Sequence, residues 1–363
     1  MKNKDVSVEL LRIIAMTMVV GCHVNPGFKY FDAINPLGVG ITCIVADGVA
    51  IFWMIMGFFL FRSDYKHVLK RSCKHVLIPM FIYTMLMFWF GEFLAGDTNN
   101  ILFGLTRPVE DYRNLLMNGL LKWSSVVSFT YHFWYLYSYM IVILAFPALK
   151  GIVDTAKKGK KGILILFGVL FGILVINDIG MNAMVGFSHM PFNGAMGGAV
   201  LALLGYVIYS AKDKFENKPI IGLLGLASYF VVNFIRCWIQ CRLAINGGSS
   251  HPVFWYTSFG VLSSYSLIVF AYGIKGILDK KFIRKIVIHV GRLSMLVYFV
   301  HMLVIARLNN LGVMGKIGSY LHESYASILL VQLAKMAAVL VCSLLVVEIY
   351  YVLKTLVLKG VKK

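Results

Sequence analysis

The sequence LRIIAMTMVVGCH, residues 11–23, decides the fold because it reads as part of a membrane-spanning helix with two costly polar side chains. Arg12 lies near its start and His23 at its end. A charged side chain at the bilayer centre costs about 2.5–3.5 kcal/mol on insertion scales. Eleven helical residues rise about 16 Å and complete about three turns, so the two side chains share one face. We expect this face to look into a helix bundle; the alternative is that Arg12 snorkels to the headgroups and His23 meets water at the helix end.

The composition extends this interpretation to the whole chain. The 363 residues are 59% hydrophobic and 14% charged, with a mean hydropathy of +0.79. Soluble domains have about 25% charged and 45–50% apolar residues. A soluble helix bundle also needs a polar surface, which this composition does not supply. The sequence therefore predicts a single all-α domain over residues 1–363, a polytopic membrane helix bundle.

Apolar segments long enough to cross a membrane recur about ten times. A span needs about 20 mostly apolar residues, and the fifth segment is short. Residues 96–128 form the longest polar connection, whose middle is predicted to be an interfacial or re-entrant helix. The ten predicted segments lie near residues 7–25, 42–61, 77–95, 129–149, 162–177, 191–210, 219–240, 253–274, 286–306 and 325–353.

The basic residues predict the orientation. If the N-terminus is cytoplasmic, the inside segments hold about 24 Lys and Arg and the outside segments about 7, as the positive-inside rule requires. The net charge of +19 would suggest nucleic acid in a soluble chain, but topology already explains it, so no nucleic acid partner is expected. We expect a multi-pass protein of the plasma membrane with both termini in the cytoplasm.

The cysteines and the N-terminus exclude further classes of protein. Glu9 and Arg12 interrupt the first apolar run, which argues against a cleavable signal peptide. No CxxC pair occurs, so free thiols are expected and neither a disulfide framework nor a metal site is predicted. The six cysteines are Cys22, Cys43, Cys73, Cys237, Cys241 and Cys342.

Other polar side chains stand out against the apolar segments. His132 opens HFWYLYSYM at the predicted outer end of the fourth segment, and His301 ends SMLVYFVH in the ninth. A lone histidine in a helix is more often a core or interface residue than a catalyst, and Trp134 suits an interfacial aromatic belt. Arg71 and Lys74 lie in a basic loop that sets topology and also suits phosphate binding.

These residues resemble the motifs of the acyltransferase-3 family of multi-pass membrane acyltransferases. Arg12 and His23 match the spacing of an arginine, ten residues and a histidine in that family's first helix. RSCK at 71–74 resembles its Arg-x-x-Arg motif. Three further stretches resemble its second-helix, His-Leu-Trp-Phe-Leu and C-terminal Gly-x-x-Ser…Tyr-Leu-x-His motifs, namely VAIFWMIMGFFLF, HFWYLY and GRLSMLVYFVH. The matches follow the expected order over nearly the whole chain.

Four positions depart from the family pattern. Met56 stands where serine is usual, Trp53 where phenylalanine is usual, and Ala50 where many members have aspartate. Lys74 replaces an arginine, which keeps the charge but loses bidentate geometry. These departures leave open a divergent subgroup or a member with a different activity.

The resemblance implies an O-acyltransferase that moves an acyl group, most often acetyl, from cytoplasmic acyl-CoA to a hydroxyl of a surface polysaccharide or lipid-linked glycan. Acyl-CoA is then a co-substrate, and no cofactor is permanently bound. Arg12, with Arg71 and Lys74, would bind the anionic acyl-CoA. His23 would act as general base, Arg12 would alternatively polarise the thioester carbonyl, and His132, Trp134 and His301 would support the site.

A transporter or flippase without acyl chemistry is the competing hypothesis. Buried arginine and histidine suit the transport of a small solute or a glycan precursor as well as catalysis. The sequence shows no obvious inverted repeat and no pair of broken helices, which favours the enzyme.

Overall fold

The computed structural model describes residues 4–25, 27–30, 33–120, 127–182, 194–247 and 251–360. Within them the chain is almost entirely helical, and a two-residue hairpin, β1 (Lys29–Tyr30) with β2 (Ala33–Ile34), is the exception. The helices are α1 Val6–Val24, α2 Pro36–Leu60, α3 Tyr65–Ser72, α4 Ile78–Ala95, α5 Val109–Asn114, α6 Trp134–Leu144, α7 Phe146–Lys158, α8 Gly162–Asn182, α9 Gly194–Ser210, α10 Pro219–Ile245, α11 Ser258–Gly273, α12 Lys275–Leu278, α13 Lys281–Asn310, α14 Val313–Gly318 and α15 Tyr325–Gly360.

The predicted all-α membrane bundle is confirmed. Among the described residues, seven helices are long and apolar enough to cross a membrane, or eight if a bent pair counts as one span. Two shorter apolar helices, α9 and α11, match the sixth and eighth predicted segments. The predicted count of about ten spans is therefore approximate.

The fourth predicted segment, 129–149, is a bent pair of helices. A 3-10 turn at Tyr131–Phe133 leads into α6, and the chain then bends by 62° into α7. Pro147 lies in the first turn of α7, where its ring and missing N–H do not allow α6 to continue. The α6 helix thereby ends early, and the amphipathic α7 leaves at an angle.

A π-helical turn interrupts the third span. Cys73–Leu77 is π-helical and joins α3 to α4 without a break, so the apolar helix extends over Tyr65–Ala95. Pro79 follows in the first turn of α4. Because proline cannot donate to a carbonyl four residues back and crowds it, a wider turn before Pro79 lets the helix continue.

Helix α1 is packed among several other helices, including α2, α11, α13 and α15. Asp5 caps its N-terminus by accepting from the Ser7 N–H at 3.0 Å. Two glycines let neighbours come close. A Cβ at Gly48 of α2 would lie 2.6 Å from the Ala15 carbonyl oxygen, and one at Gly291 of α13 would lie 2.6 Å from Glu9 Oε2. The helix with both Arg12 and His23 is thus held from several sides.

Glycines also form the contact between α2 and α9. A Cβ at Gly57 would lie 1.9 Å from the Ala202 carbonyl oxygen, and one at Gly198 would lie 2.4 Å from the Trp53 ring. This agrees with the small-residue packing expected in membranes. Trp53, which departs from the family pattern, fills the space that Gly198 leaves and is fully buried.

A buried ion pair ties α2 to α10. Arg236 and Asp47 are both inaccessible to solvent, and Nη1 donates to Asp47 Oδ1 at 2.6 Å. The other guanidinium N–H groups donate to backbone carbonyl oxygens, so the charge is paired and hydrogen-bonded as burial requires. Those carbonyl oxygens belong to Cys43, Pro252, Val253 and Phe254.

Replacing Gly57 with alanine is expected to destabilise the bundle by about 1–3 kcal/mol, because the new methyl group meets backbone and not a movable side chain. Detergent-solubilised protein would be unfolded by SDS titration. Gly172→Ala is the matched control, since nothing lies within 4 Å of a Cβ there. Equal midpoints for the two variants would contradict the close α2–α9 contact.

Arg236→Met is expected to lower the free energy of unfolding by about 3–5 kcal/mol, because it leaves a buried carboxylate without its partner. Asp47→Asn should lower the free energy of unfolding by less, since the amide oxygen of asparagine still accepts a hydrogen bond from the guanidinium. The same SDS titration measures both. Arg242→Met, an exposed position near the end of the same helix, should leave the midpoint unchanged; a similar loss at Arg242 would argue against a special role of the pair.

Candidate active site

Three histidines that are distant in sequence meet at the C-terminal end of α1. The ring centroids are 4.7 Å apart for His132 and His301, 5.1 Å for His23 and His301, and 6.3 Å for His23 and His132. His132 and His301 are buried, while His23 is partly exposed. Helix α1, the turn before α6 and helix α13 each contribute one imidazole to this cluster, the histidine cluster.

Tyr298 holds two of these rings in place. Its backbone carbonyl oxygen lies 2.9 Å from His132 Nε2 and 2.8 Å from His301 Nδ1. Its hydroxyl donates in return to the His132 carbonyl oxygen at 2.5 Å. Tyr298 therefore joins the start of α6 to α13 through both its backbone and its side chain.

The hydrogen-bond pattern assigns the tautomers of the buried rings. A ring nitrogen beside a carbonyl oxygen has to donate, so the proton lies on Nε2 of His132 and on Nδ1 of His301. The opposite nitrogens, His132 Nδ1 and His301 Nε2, are then acceptors in the neutral rings. Both atoms are buried and have no hydrogen-bond partner among the described residues.

Arg12 lies towards the other end of α1 and is paired with Glu9. Arg12 Nη1 donates to Glu9 Oε1 at 3.1 Å, and the same oxygen lies 3.2 Å from Lys4 Nζ. The Glu9 side chain is 4% exposed and that of Arg12 is 32% exposed. A guanidinium has five N–H donors, so the group is held by a buried carboxylate and still presents donors to solvent.

Two tyrosines of α6 lie between the basic residues and the histidine cluster. The Tyr135 ring lies 6.1 Å from that of Tyr298, and Tyr135 also interacts electrostatically with Arg12. One turn further, the Tyr139 hydroxyl lies 2.9 Å from Ser72 Oγ. Both tyrosines are partly accessible and lie on the face of α6 that joins the basic residues to the histidine cluster.

The predicted acyl-CoA-binding residues Arg71 and Lys74 are exposed. Arg71 lies in the last turn of the basic α3 and interacts electrostatically with Tyr139, whereas Lys74 lies in the π-helical turn that follows. Both thus lie at the end of α6 that is remote from the histidine cluster, on the side to which Arg12 also belongs.

Trp134 faces away from the histidines. Its ring stacks on Trp255 at 5.8 Å, and Trp255 in turn stacks on Trp53 at 6.5 Å. Trp134 is 39% exposed. Within the described structure this predicted supporting residue therefore belongs to a tryptophan stack beside the site, and its link to the histidine cluster runs through the neighbouring Tyr135.

Sequence reasoning assigned no role to Glu9, Tyr135 and Tyr298 in the site. Glu9 had a usable signal, because it stands three residues before Arg12 on the same helix, where opposite charges pair. Tyr135 and Tyr298 gave no signal, since an aromatic residue in an apolar helix is ordinary and their contacts join helices far apart in sequence.

The described residues contain no group of three histidine, cysteine or acidic side chains placed to bind a metal ion. The six cysteines are free. Cys237 and Cys241, one turn apart on α10, have their sulfur atoms 4.0 Å apart.

Comparison with known proteins gives one finding. A family model described as an acyltransferase domain, that of the acyltransferase-3 family, matches residues 5–348, nearly the whole chain. No curated protein and no solved structure matches.

Proposed function

The chain belongs to the acyltransferase-3 family, and from this premise we propose that it transfers an acyl group, most simply acetyl, from cytoplasmic acyl-CoA to a hydroxyl of a surface polysaccharide or lipid-linked glycan. It is a membrane acyltransferase by family and by its apolar helices. The observation that carries the finer proposal is that α1 brings Arg12 to one end and His23 into the histidine cluster at the other.

The proposed membrane is the plasma membrane, with both termini in the cytoplasm. In this orientation the N-terminal end of α1, Arg71 and Lys74 face the cytoplasm, where acyl-CoA is made. The bias of Lys and Arg among the connecting segments supports it. The histidine cluster then lies towards the outer side, where a glycan precursor is accessible.

Arg12, Arg71 and Lys74 are proposed to bind the donor. Coenzyme A has several phosphate charges, and a basic face raises its local concentration. Arginine binds phosphate with two parallel hydrogen bonds, and Glu9 holds Arg12 while leaving donors free. The pantetheine arm would then follow the face of Tyr139 and Tyr135 towards the histidines.

His23 is proposed as the general base, with His132 and His301 as supporting residues. The acceptor hydroxyl attacks the thioester carbonyl carbon while His23 takes its proton. A C–O bond forms, the C–S bond breaks, and the thiolate of coenzyme A leaves. His23 can return the proton to that sulfur, so the base is regenerated and no other reactant is consumed.

A carrier or flippase is the second candidate, because buried polar side chains in a bundle also suit transport. Purified protein that binds acetyl-CoA and turns over its thioester would support the enzyme. Solute movement that is independent of coenzyme A would support the carrier.

Replacement of His23 by alanine should lower kcat by about 10²–10⁴-fold, the usual contribution of a general base. Arg12→Lys should raise the KM for acetyl-CoA, because lysine loses the planar fork of donors. Membrane-inserted protein would be assayed with labelled acetyl-CoA after its amount is matched. His322→Ala and Arg113→Lys, both exposed positions away from the site, are the controls; full activity in either site variant removes that residue from the mechanism.

Replacing both Arg71 and Lys74 with glutamine should raise the KM for acetyl-CoA. The KM should also depend less on ionic strength, since salt screens the attraction between exposed charges. The KM would be measured from low to high salt. Lys316→Gln removes an exposed charge in α14 and should leave the salt dependence as it is. A double variant with the wild-type salt dependence would contradict donor binding by these residues.

A further inference from the structure

We propose that the unpaired ring nitrogens of His132 and His301 bind hydroxyl groups that flank the acylated one, so that the acceptor carries contiguous hydroxyl groups. This inference rests on the proposed function, because it names the acceptor chemistry of that same site. It follows from two hydrogen bonds and from the burial of two atoms.

The atoms concerned are His132 Nδ1 and His301 Nε2. The two residues are 2% and 0% exposed, and neither atom has a hydrogen-bond partner among the described residues. Buried polar atoms in folded proteins are almost always hydrogen-bonded. Two unpaired acceptors beside the partly exposed His23 are therefore positions at which a bound molecule can supply the donor.

The polarity of these atoms selects the ligand. Both nitrogens accept, because the other nitrogen of each ring donates to the Tyr298 carbonyl oxygen. Thioester, carboxylate and unprotonated phosphate oxygens are acceptors too and gain nothing there. A hydroxyl group has the proton that is needed, so this pair suits the hydroxyl groups of the acceptor molecule and not the thioester or phosphate groups of acyl-CoA.

The third ring places the reacting hydroxyl. His23 is partly exposed and lies 5.1 Å from His301 and 6.3 Å from His132, between ring centroids. If the hydroxyl at His23 is the one that attacks, its neighbours on the same molecule lie towards the two buried rings. A sugar ring with adjacent free hydroxyl groups has this arrangement, whereas an isolated alcohol leaves both buried acceptors unpaired.

Two substitutions separate ligand binding from structural support. In His301→Asn the amide nitrogen takes the place of Nδ1 and still donates to Tyr298, but the acceptor at Nε2 is lost. In His132→Gln the amide nitrogen takes the place of Nε2, and the acceptor at Nδ1 is lost. His301→Gln is the control with the opposite effect. Its amide oxygen supplies an acceptor at the position of Nε2, while the hydrogen bond to the Tyr298 carbonyl oxygen is lost.

The experiment titrates purified full-length protein in detergent, without acyl-CoA, with cyclohexane-1,2,3-triol in its all-cis form and with cyclohexanol. Affinity is read from thermal-shift or calorimetric titrations. We expect the triol to bind at least about tenfold more tightly than cyclohexanol. His301→Asn and His132→Gln should each weaken the binding of the triol by about tenfold. The binding of cyclohexanol and of coenzyme A should stay unchanged.

The midpoints of thermal unfolding separate ligand binding by the two histidines from structural support. We expect His301→Asn and His132→Gln to keep the wild-type midpoint, while His301→Gln lowers it. Equal affinity for the triol and cyclohexanol, no binding of the triol, or full triol affinity in both acceptor-deleted variants would overturn the inference. Triol binding that follows the expected pattern in a protein that never turns over acetyl-CoA would instead contradict the acyltransferase proposal alone.

Discussion

The Tyr298 carbonyl oxygen, with ring N–H groups from His132 and His301 directed at it, is the feature on which the rest of the site depends. It joins α13 to the start of α6 and brings together residues that lie 166 positions apart in the chain. It also decides which nitrogen of each ring is protonated. Without it His132 would lose the partner that fixes its tautomer, and His301 Nδ1 would keep only the longer contact with the Val297 carbonyl oxygen at 3.3 Å.

The surrounding bundle keeps such polar contacts fixed because there is little else for polar atoms to bind in an apolar interior. Arg236 and Asp47 bind each other and nearby carbonyl groups, which ties α2 to α10. Gly57 and Gly48 bring α2 into close contact with α9 and α1. The result is a frame in which one face of α1 reaches from a partly exposed arginine to a group of three imidazoles, two of them buried.

Much of this arrangement was accessible from the sequence, and the limits have physical causes. Long apolar segments predicted the helices, because a helix needs about 20 mostly apolar residues to cross the hydrocarbon core of a bilayer. The bend after α6 is not predicted from the sequence because the mean hydropathy of the whole segment hardly changes with one proline, Pro147. Residues on one helix, such as Arg12 and His23, were related by spacing alone, whereas the approach of His132 to His301 depends on how helices pack. The catalytic and donor-binding roles of Arg12, His23, Arg71 and Lys74 stay predictions.

The π-helical turn at Cys73–Leu77 sets the direction of α3 relative to α4. Such a turn usually holds one residue more than an α-helical path of the same length, and one residue corresponds to about 100° of rotation. Loss of a single residue there would swing α3 and Arg71 around the helix axis while α4 kept its place among its neighbours. The number of residues in this turn, and not their chemical character, therefore determines the direction in which α3 and Arg71 point.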